Sequence, residues 1–146
     1  MFFIMINDIK FFKSLTDRQV VDINPLNLAF IGDAVWTILV REFFCQHTNF
    51  KNNNLHKLTT KFVKAVYQAK ALDILQEDLT EDEKDISRRA RNTKLNTISK
   101  NASLVEYKKA TSFEAVIGYL YLLGNFDRLN LFFEKLSKDF FVEVKK

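Results

Sequence analysis

Apolar residues recur every three to four positions along most of this chain of 146 residues, which is the spacing of one face of an α-helix. Asn24 followed by Pro25 is a helix start signal, because asparagine caps free N–H groups and proline fits the first helical position. The pair predicts a helix that runs to about Gln46. The polar stretch HTNFKNNN predicts a loop, and a second helix is predicted from about His56 to Gln76.

Start and stop signals predict three more helices in the second half of the chain. Thr80 and Glu83 form a capping box, and Gly124 is a C-terminal stop signal. The helices predicted from these signals cover about residues 81–91, 104–123 and 126–144. The fold class predicted is therefore all-α.

Composition agrees with a helical, globular protein. Three glycines and one proline are too few turn formers for a many-stranded sandwich or barrel. The single cysteine, Cys45, excludes an internal disulfide and a cysteine-based zinc cluster, and its apolar neighbours predict a buried, unreactive thiol.

No segment of the sequence has the pattern of a leader or a membrane span. The apolar start lacks a basic leader and a cleavage site. The longest apolar run, Leu28 to Val40, is too short to cross a bilayer and is interrupted by Asp33. We therefore expect a soluble, cytoplasmic protein.

Two carboxylates lie in the most apolar helices. Asp33 is within LAFIGDAVWTILV, and Glu114 is within TSFEAVIGYLYLL. A buried, unpaired carboxylate costs free energy comparable with the net stability of a domain. Neither residue has a lysine, arginine or histidine three or four positions away on its own helix face, so each needs a partner from elsewhere in the fold.

The partner could be the start of another helix, a distant arginine or a divalent cation. Two such carboxylates on two apolar helices favour the cation, and magnesium fits because it commonly takes one or two carboxylates plus waters and phosphates. Such an ion can activate water and offset charge in a phosphodiester transition state. Gly32 beside Asp33, and Gly118 one turn from Glu114, would let the helices approach closely or leave room for a ligand.

Positive charge is concentrated in one segment of the chain. The net charge is +4 overall, but residues 84–109 carry +6 and the remainder carries −2. A solvated face that complements a helix end is one reading of this segment. A surface that follows the phosphates of a nucleic-acid duplex is the other. Tyr107 is the one aromatic residue in the segment, so base stacking is not indicated.

The residues around the two carboxylates resemble a known family. LAFIGDAV resembles the signature helix of the ribonuclease III endonuclease domain, and FEAVIGYLYLL resembles the second acidic motif of that domain. LHKLTTKFVKAVYQAKAL, TEDEKDISRRARN and YKKATSFE are most similar to the Mini-III ribonucleases, which have this domain without a separate double-stranded-RNA-binding domain. The resemblance covers about Leu26 to Leu123.

The resemblance implies a single domain over residues 1–146, with a catalytic core at about 24–124 followed by the helix 126–144. It implies an all-helical homodimer that cleaves double-stranded RNA with magnesium and matures the ends of precursor 23S ribosomal RNA. Metal ligation and catalysis would fall to Asp33 and Glu114.

Further residue roles follow from the same resemblance and from the basic segment. Phe30 would lie at the dimer interface. His56 matches a family Leu-His pair, which implies a role in RNA binding or at the site edge, with a structural role at the helix start as the alternative. The RNA-binding residues expected from the basic segment and the family pattern are Arg88, Arg89, Arg91, Asn92, Lys94, Lys100, Lys108 and Lys109.

The sequence departs from ribonuclease III proper at three acidic positions. Leu26, Ala29 and Thr111 stand where further carboxylates are usual in those enzymes. The loss indicates a sparse metal site, and it keeps open a catalytically inactive, ribosome-associated RNA-binding module. A magnesium-dependent nucleotide pyrophosphatase is a further alternative, since the acidic run 81–83 could imitate its paired carboxylates.

Overall fold

The computed structural model describes residues 12–93 and 103–145, and over those residues the protein contains helices and no strands. The helices are α1 (Asp17–Val21), α2 (Pro25–His47), α3 (Asn52–Val63), α4 (Ala65–Leu75), α5 (Glu81–Asn92), α6 (Leu104–Leu123) and α7 (Phe126–Val144), with a 3₁₀ turn at Gln76–Asp78. The all-α prediction is confirmed.

Helix α6 is the centre of the fold. It contacts α1, α2, α4, α5 and α7, and a continuous run of its residues from Ala110 to Leu120 is buried except for Glu114. A helix that is apolar on all sides must be covered on all sides, because every face left in water would cost free energy. The other helices therefore pack around α6.

The predicted start and stop signals lie at helix ends. Asn24 accepts a hydrogen bond from the backbone N–H of Leu26, with Pro25 at the first helical position. Thr80 and Glu83 form the expected capping box, and Gly124 ends α6 in the left-handed conformation with a φ of 71°. These local interactions define the bounds of α2, α5 and α6.

Aromatic side chains bring α2, α3 and α7 together. Trp36 packs edge-on against Phe113 of α6 with ring centroids 5.0 Å apart, and Phe140 of α7 lies 4.6 Å from Phe62 of α3. The Trp36 indole N–H also donates to the Phe62 carbonyl at 2.8 Å. Several large side chains are thereby buried in one cluster.

A buried ion pair attaches α7 to α5. Glu83 is 2% exposed and forms two hydrogen bonds with the Arg128 guanidinium, at 2.6 and 2.9 Å. Arg128 also donates to the Asp78 carbonyl at 2.7 Å. Glu83 thus caps α5 and pairs with α7, which gives a structural role to one of the three acids on which the pyrophosphatase alternative rests.

The single helix predicted over about residues 56–76 is wrong. The chain forms α3 and α4 instead, separated by Lys64, whose backbone is extended at φ −70° and ψ 151°. The break leaves the Phe62 carbonyl free to accept the Trp36 N–H, a contact 26 residues away in sequence. The periodicity of apolar residues within one segment does not show that a side chain from another helix will take one of its backbone carbonyls.

Three smaller expectations also need correction. Helix α3 begins at Asn52, inside the stretch predicted as a loop, and α1 was not predicted although Thr16 and Gln19 form a capping box before it. Cys45 is exposed, not buried.

Within the described residues, none of the helices combines the length and the hydropathy that a membrane crossing needs.

Candidate active site

Helices α2 and α6 cross with their backbones in contact at two glycines. A Cβ placed on Gly32 would lie 1.7 Å from the carbonyl oxygen of Glu114, and one placed on Gly118 would lie 2.0 Å from the carbonyl oxygen of Leu28. Both distances are far inside van der Waals contact, so only glycine fits at either position. The close approach expected from the sequence is confirmed.

The crossing brings the two predicted carboxylates together. Asp33 follows Gly32 directly, and Glu114 lies one turn before Gly118. Burial raises the pKa of Glu114 to about 9, and a hydrogen bond with Asp33 and the negative charge of Asp33 add to the shift. Two carboxylates that interact in this way must share a proton or be neutralised by a cation.

The expectation that both carboxylates are buried is wrong for Asp33, which is exposed, and Glu114 is half-buried. The physical reason is that α2 keeps an apolar face on the surface of the single chain. Phe30 is 78% exposed and Ile38 is 61% exposed. Apolar neighbours in sequence therefore did not imply a buried position.

A third polar side chain, Gln68, faces Glu114 and lowers its pKa. It is a buried residue in the first turn of α4. Gln68 was not among the site residues expected from the sequence. The signal was present, since Gln68 is a polar residue inside the apolar stretch AVYQAKAL, as Asp33 and Glu114 are in theirs.

The donor set fits a magnesium ion with few protein ligands. The described residues contain no group of three or more histidine, cysteine, aspartate or glutamate side chains that could hold a metal. Asp33 and Glu114 supply hard oxygen donors, which is the chemistry magnesium prefers, and solvent and substrate oxygens can complete its coordination. Zinc, which favours nitrogen and sulfur ligands, does not match this set.

The three positions that lack a carboxylate have taken structural roles. Ala29 is buried in the core, and Leu26 is half-buried at the start of α2. Thr111 is buried, and its hydroxyl donates to the Tyr107 carbonyl one turn earlier at 3.0 Å. None of these side chains offers a carboxylate oxygen.

The predicted RNA-binding residues on α5 differ in their environments. Arg88, Arg91 and Asn92 are exposed, and Arg88 pairs with Asp85 within the helix. Arg89 is half-buried and donates to the Val21 carbonyl at 3.1 Å, which ties α5 to the end of α1. Arg89 therefore has a structural role whether or not it also meets a ligand.

The structure describes two of the other four lysines that are predicted to bind RNA. Lys109 pairs with Asp73 of α4 at 2.9 Å, and Lys108 is half-buried on α6. Lys94 and Lys100 lie outside the described residues. Asp33 and Gln68 are the side chains that shift the pKa of Glu114, and no described lysine or arginine is among them.

His56 lies on the exposed side of α3, not at the carboxylate pair. It lines a pocket of about 200 Å³ together with Arg41 and Cys45. Arg41 lies eight residues after Asp33 on α2, which corresponds to about 12 Å along the helix axis and about 80° around it. His56 is thus placed beside the helix that carries Asp33 but at a distance from Asp33.

A second basic surface was missed. From Phe43 to Leu72 the chain has five lysines and no acidic residue. Lys57 and Lys64 are exposed on and after α3, with no carboxylate within ion-pair distance in the described part of the chain. Lys61 instead pairs with Glu143 at 2.8 Å. The sequence signal for this surface was the absence of aspartate and glutamate from residues 43–72.

The exposed apolar face of α2 borders a groove. Residues 12–15, α2 and the last turn of α6 line a groove of about 780 Å³, which includes Ile31, Ile38 and Leu122. The Tyr121 hydroxyl in this groove is buried and has no hydrogen-bond partner within the described residues. Phe30 lies on the same helix and is 78% exposed.

The chain matches a known protein family over most of its length. A family model for the ribonuclease III domain matches residues 26–125. A Mini-ribonuclease 3 from Thermoanaerobacter sp. (strain X514) is 48% identical over 115 residues, which cover 79% of this chain and 81% of that protein. A Mini-ribonuclease 3 from Staphylococcus aureus is 40% identical over 122 residues, covering 82% and 91% respectively.

A solved structure has the same fold. The X-ray crystal structure of a protein from Fusobacterium nucleatum superposes with a TM-score of 0.76 at 34% identity, covering 81% of this chain and 94% of that one. The fold is thus that of a ribonuclease III domain, a class of enzymes that is typically metal-dependent. Within that class, the chain belongs to the Mini-ribonuclease 3 family. Its homologues in that family are endoribonucleases.

Replacing Glu114 with glutamine should remove a pH dependence from the stability of the cation-free protein. A carboxyl group whose pKa rises on folding from 4.5 to about 9 contributes stability that is present at low pH and is lost as the pH rises through that range. In thermal unfolding with a chelator, Glu114→Gln should gain in Tm over the unmutated protein from about pH 5 to about pH 9. Glu134→Gln on the exposed side of α7 serves as the control, and an equal Tm difference at both pH values would contradict the raised pKa.

Proposed function

We propose that this protein is a magnesium-dependent endoribonuclease that cleaves double-stranded RNA, with Asp33 and Glu114 as its metal ligands and catalytic residues. The observation that carries the proposal is the carboxylate pair at the glycine crossing of α2 and α6. Holding Glu114 ionised at neutral pH needs a compensating positive charge, since burial and Asp33 both oppose its ionisation.

Each residue of the pair has a distinct part in the chemistry. When bound, magnesium supplies Lewis-acid stabilisation of the phosphodiester transition state and activation of the attacking water. Asp33 presents its carboxylate from the exposed surface of α2, where a duplex backbone can reach it, and Glu114 holds the inner side of the site. Cleavage would leave a 5′ phosphate and a 3′ hydroxyl, as the family resemblance implies.

Two surfaces can hold the RNA backbones. The first carries the exposed α5 residues Arg88, Arg91 and Asn92, and the half-buried Lys108 on α6 is a further candidate contact. The second lies on and after α3, with Lys57 and Lys64 free of ion pairs in the described residues. Their charge suits phosphates and carries no base readout, in line with recognition of duplex shape.

Two copies of the chain would form the working enzyme through the apolar face of α2. Phe30 and Ile38 are large apolar side chains exposed on that face, and a monomer rarely leaves such a surface in water. A second copy would cover them and could offer a partner to the Tyr121 hydroxyl. The symmetric contact would supply two carboxylate pairs, one for each RNA strand. The family resemblance further suggests the paired ends of precursor 23S ribosomal RNA as the substrate.

Substitution of either carboxylate should abolish cleavage. Asp33→Asn and Glu114→Gln each remove a charged ligand oxygen, so magnesium-dependent cleavage of a long RNA duplex should fall by on the order of 100-fold or more. Asp127→Asn, an exposed acid in the first turn of α7, is the matched control and should retain full activity. A precursor 23S end stem beside an unrelated duplex tests the substrate. No magnesium-dependent cleavage by the unmutated protein would refute the proposal in favour of an RNA-binding module.

Charge reversal of Arg88 and Arg91 together should weaken RNA binding and reduce its dependence on salt. Each lost phosphate contact lowers the slope of log affinity against log salt by about 1. The measurement is a fluorescence anisotropy titration of the catalytically inactive Asp33→Asn protein at several salt concentrations. Lys138→Glu on α7 is the control, and an unchanged slope in the arginine variant would mean that these residues form only a solvated face.

Introducing a charge at Phe30 should separate the two copies. In Phe30→Asp, association would bury an unpaired carboxylate in the apolar interface, so the protein should elute as a monomer in light-scattering chromatography and lose cleavage activity. Val142→Asp, at another exposed apolar position on α7, is the control. A monomeric unmutated protein, or an unaltered dimer in Phe30→Asp, would contradict this interface.

A further inference from the structure

Gln68 is a buried residue whose side chain lies beside Glu114 but whose amide nitrogen forms no hydrogen bond of normal geometry. Its side chain is 2% exposed, and its Nε2 donates no hydrogen bond within the described part of the chain. Buried polar groups are satisfied in nearly all native proteins, so each exception requires an explanation. The one other such atom among the described residues, the Tyr121 hydroxyl, lies in the apolar groove beside α2.

The break between α3 and α4 determines where Gln68 lies. The extended backbone at Lys64 starts α4 at Ala65, and the Gln68 N–H bonds to the Lys64 carbonyl at 3.0 Å. Gln68 is therefore fixed in the first turn of α4. Five residues further along, Asp73 pairs with Lys109 of α6 at 2.9 Å, so the alignment of α4 along α6 is held beyond Gln68 as well.

This alignment makes the Gln68 carboxamide a neighbour of Glu114. The two side chains lie close enough to interact, and Gln68 is the one that has N–H groups to donate, since an ionised carboxylate only accepts. A glutamine supplies this donor without adding a positive charge. A lysine in the same place would pair with Glu114 and repel a divalent cation.

We infer that Gln68 is a positioning residue for Glu114: when the divalent cation shared with Asp33 is bound, the Nε2–H group donates to one carboxylate oxygen of Glu114 and leaves the other oxygen free for the cation. The inference rests on the proposed function, because it assigns Gln68 to the same cation site. A hydrogen bond of this kind orients a ligand that the metal alone would not hold in one direction. Such outer partners typically change metal affinity or activity by about 10–100-fold.

Gln68→Met tests the inference, because methionine keeps the length and volume of glutamine and removes its polar atoms. Without cation, the Tm of the variant should be unchanged or higher, since a buried unsatisfied group is lost. In protein without RNA, the Kd for magnesium, measured from the concentration dependence of the thermal shift, should rise by about 10-fold. The kcat for duplex RNA should fall by a similar factor, with the KM changed by less than about two-fold.

The matched control is Tyr67→Phe, which removes the hydrogen bond to Asp139 at 3.0 Å from the adjacent position of α4. It should leave the magnesium Kd unchanged. Should Gln68→Met fail to fold by circular dichroism, Gln68→Leu offers a second apolar shape. An unchanged Kd in a folded Gln68 variant, or an equal loss in Tyr67→Phe, would overturn the inference.

Failure of the proposed function gives a different result. In that case the unmutated protein would not cleave duplex RNA with magnesium, while the Kd comparison in RNA-free protein would still decide the role of Gln68. A variant that loses cation affinity in a protein without nuclease activity would support Gln68 as a positioning residue of a cation site.

Discussion

The contact between Gly32 and Gly118 is the constraint on which the rest of the site depends. At each glycine a carbonyl oxygen of the other helix occupies the space that a Cβ atom would need, so the backbones of α2 and α6 are in direct contact. That separation is what lets short carboxylate side chains from two different helices act on each other. It also explains why the most buried helix of the protein carries an ionisable residue, Glu114, at its crossing point. The cost of the half-buried carboxyl group is tolerable only where the neighbouring helix supplies a partner or a ligand.

The fold separates charged residues into those that hold helices together and those that remain available. Arg128 pairs with buried Glu83, and Arg89 is attached to α1, so both cations are part of the packing. Arg91 and Lys64 are exposed and have no ion pair among the described residues. A surface of the second kind can exchange counterions for phosphates, whereas a cation already paired in the fold must first give up its partner. Charge counts along the sequence do not distinguish the two groups.

Local sequence signals predicted much of this structure, and long-range contacts account for the errors. Capping residues such as Asn24 and Gly124 act within one turn, so they defined the ends of α2 and α6 correctly. The break at Lys64 was missed because the Phe62 carbonyl is taken by an indole N–H from a different helix. The exposure of Asp33 was mispredicted for a related reason. Periodicity shows that a face is apolar, but it does not show what covers that face.

The sequence by itself determined the helical class, the apolar character of the Glu114 helix and the choice of Asp33 and Glu114. These predictions follow from the spacing of apolar residues and from the rarity of an acidic residue within an apolar segment. Both are properties of positions that are close in sequence. Only the tertiary structure decided that the two acids meet, that Gln68 joins them from α4, and that Arg89 is committed to packing. Those facts depend on helix crossings and on contacts between residues tens of positions apart. A helix records its own faces in its sequence, whereas the neighbour that each face meets is set by the packing of the whole chain.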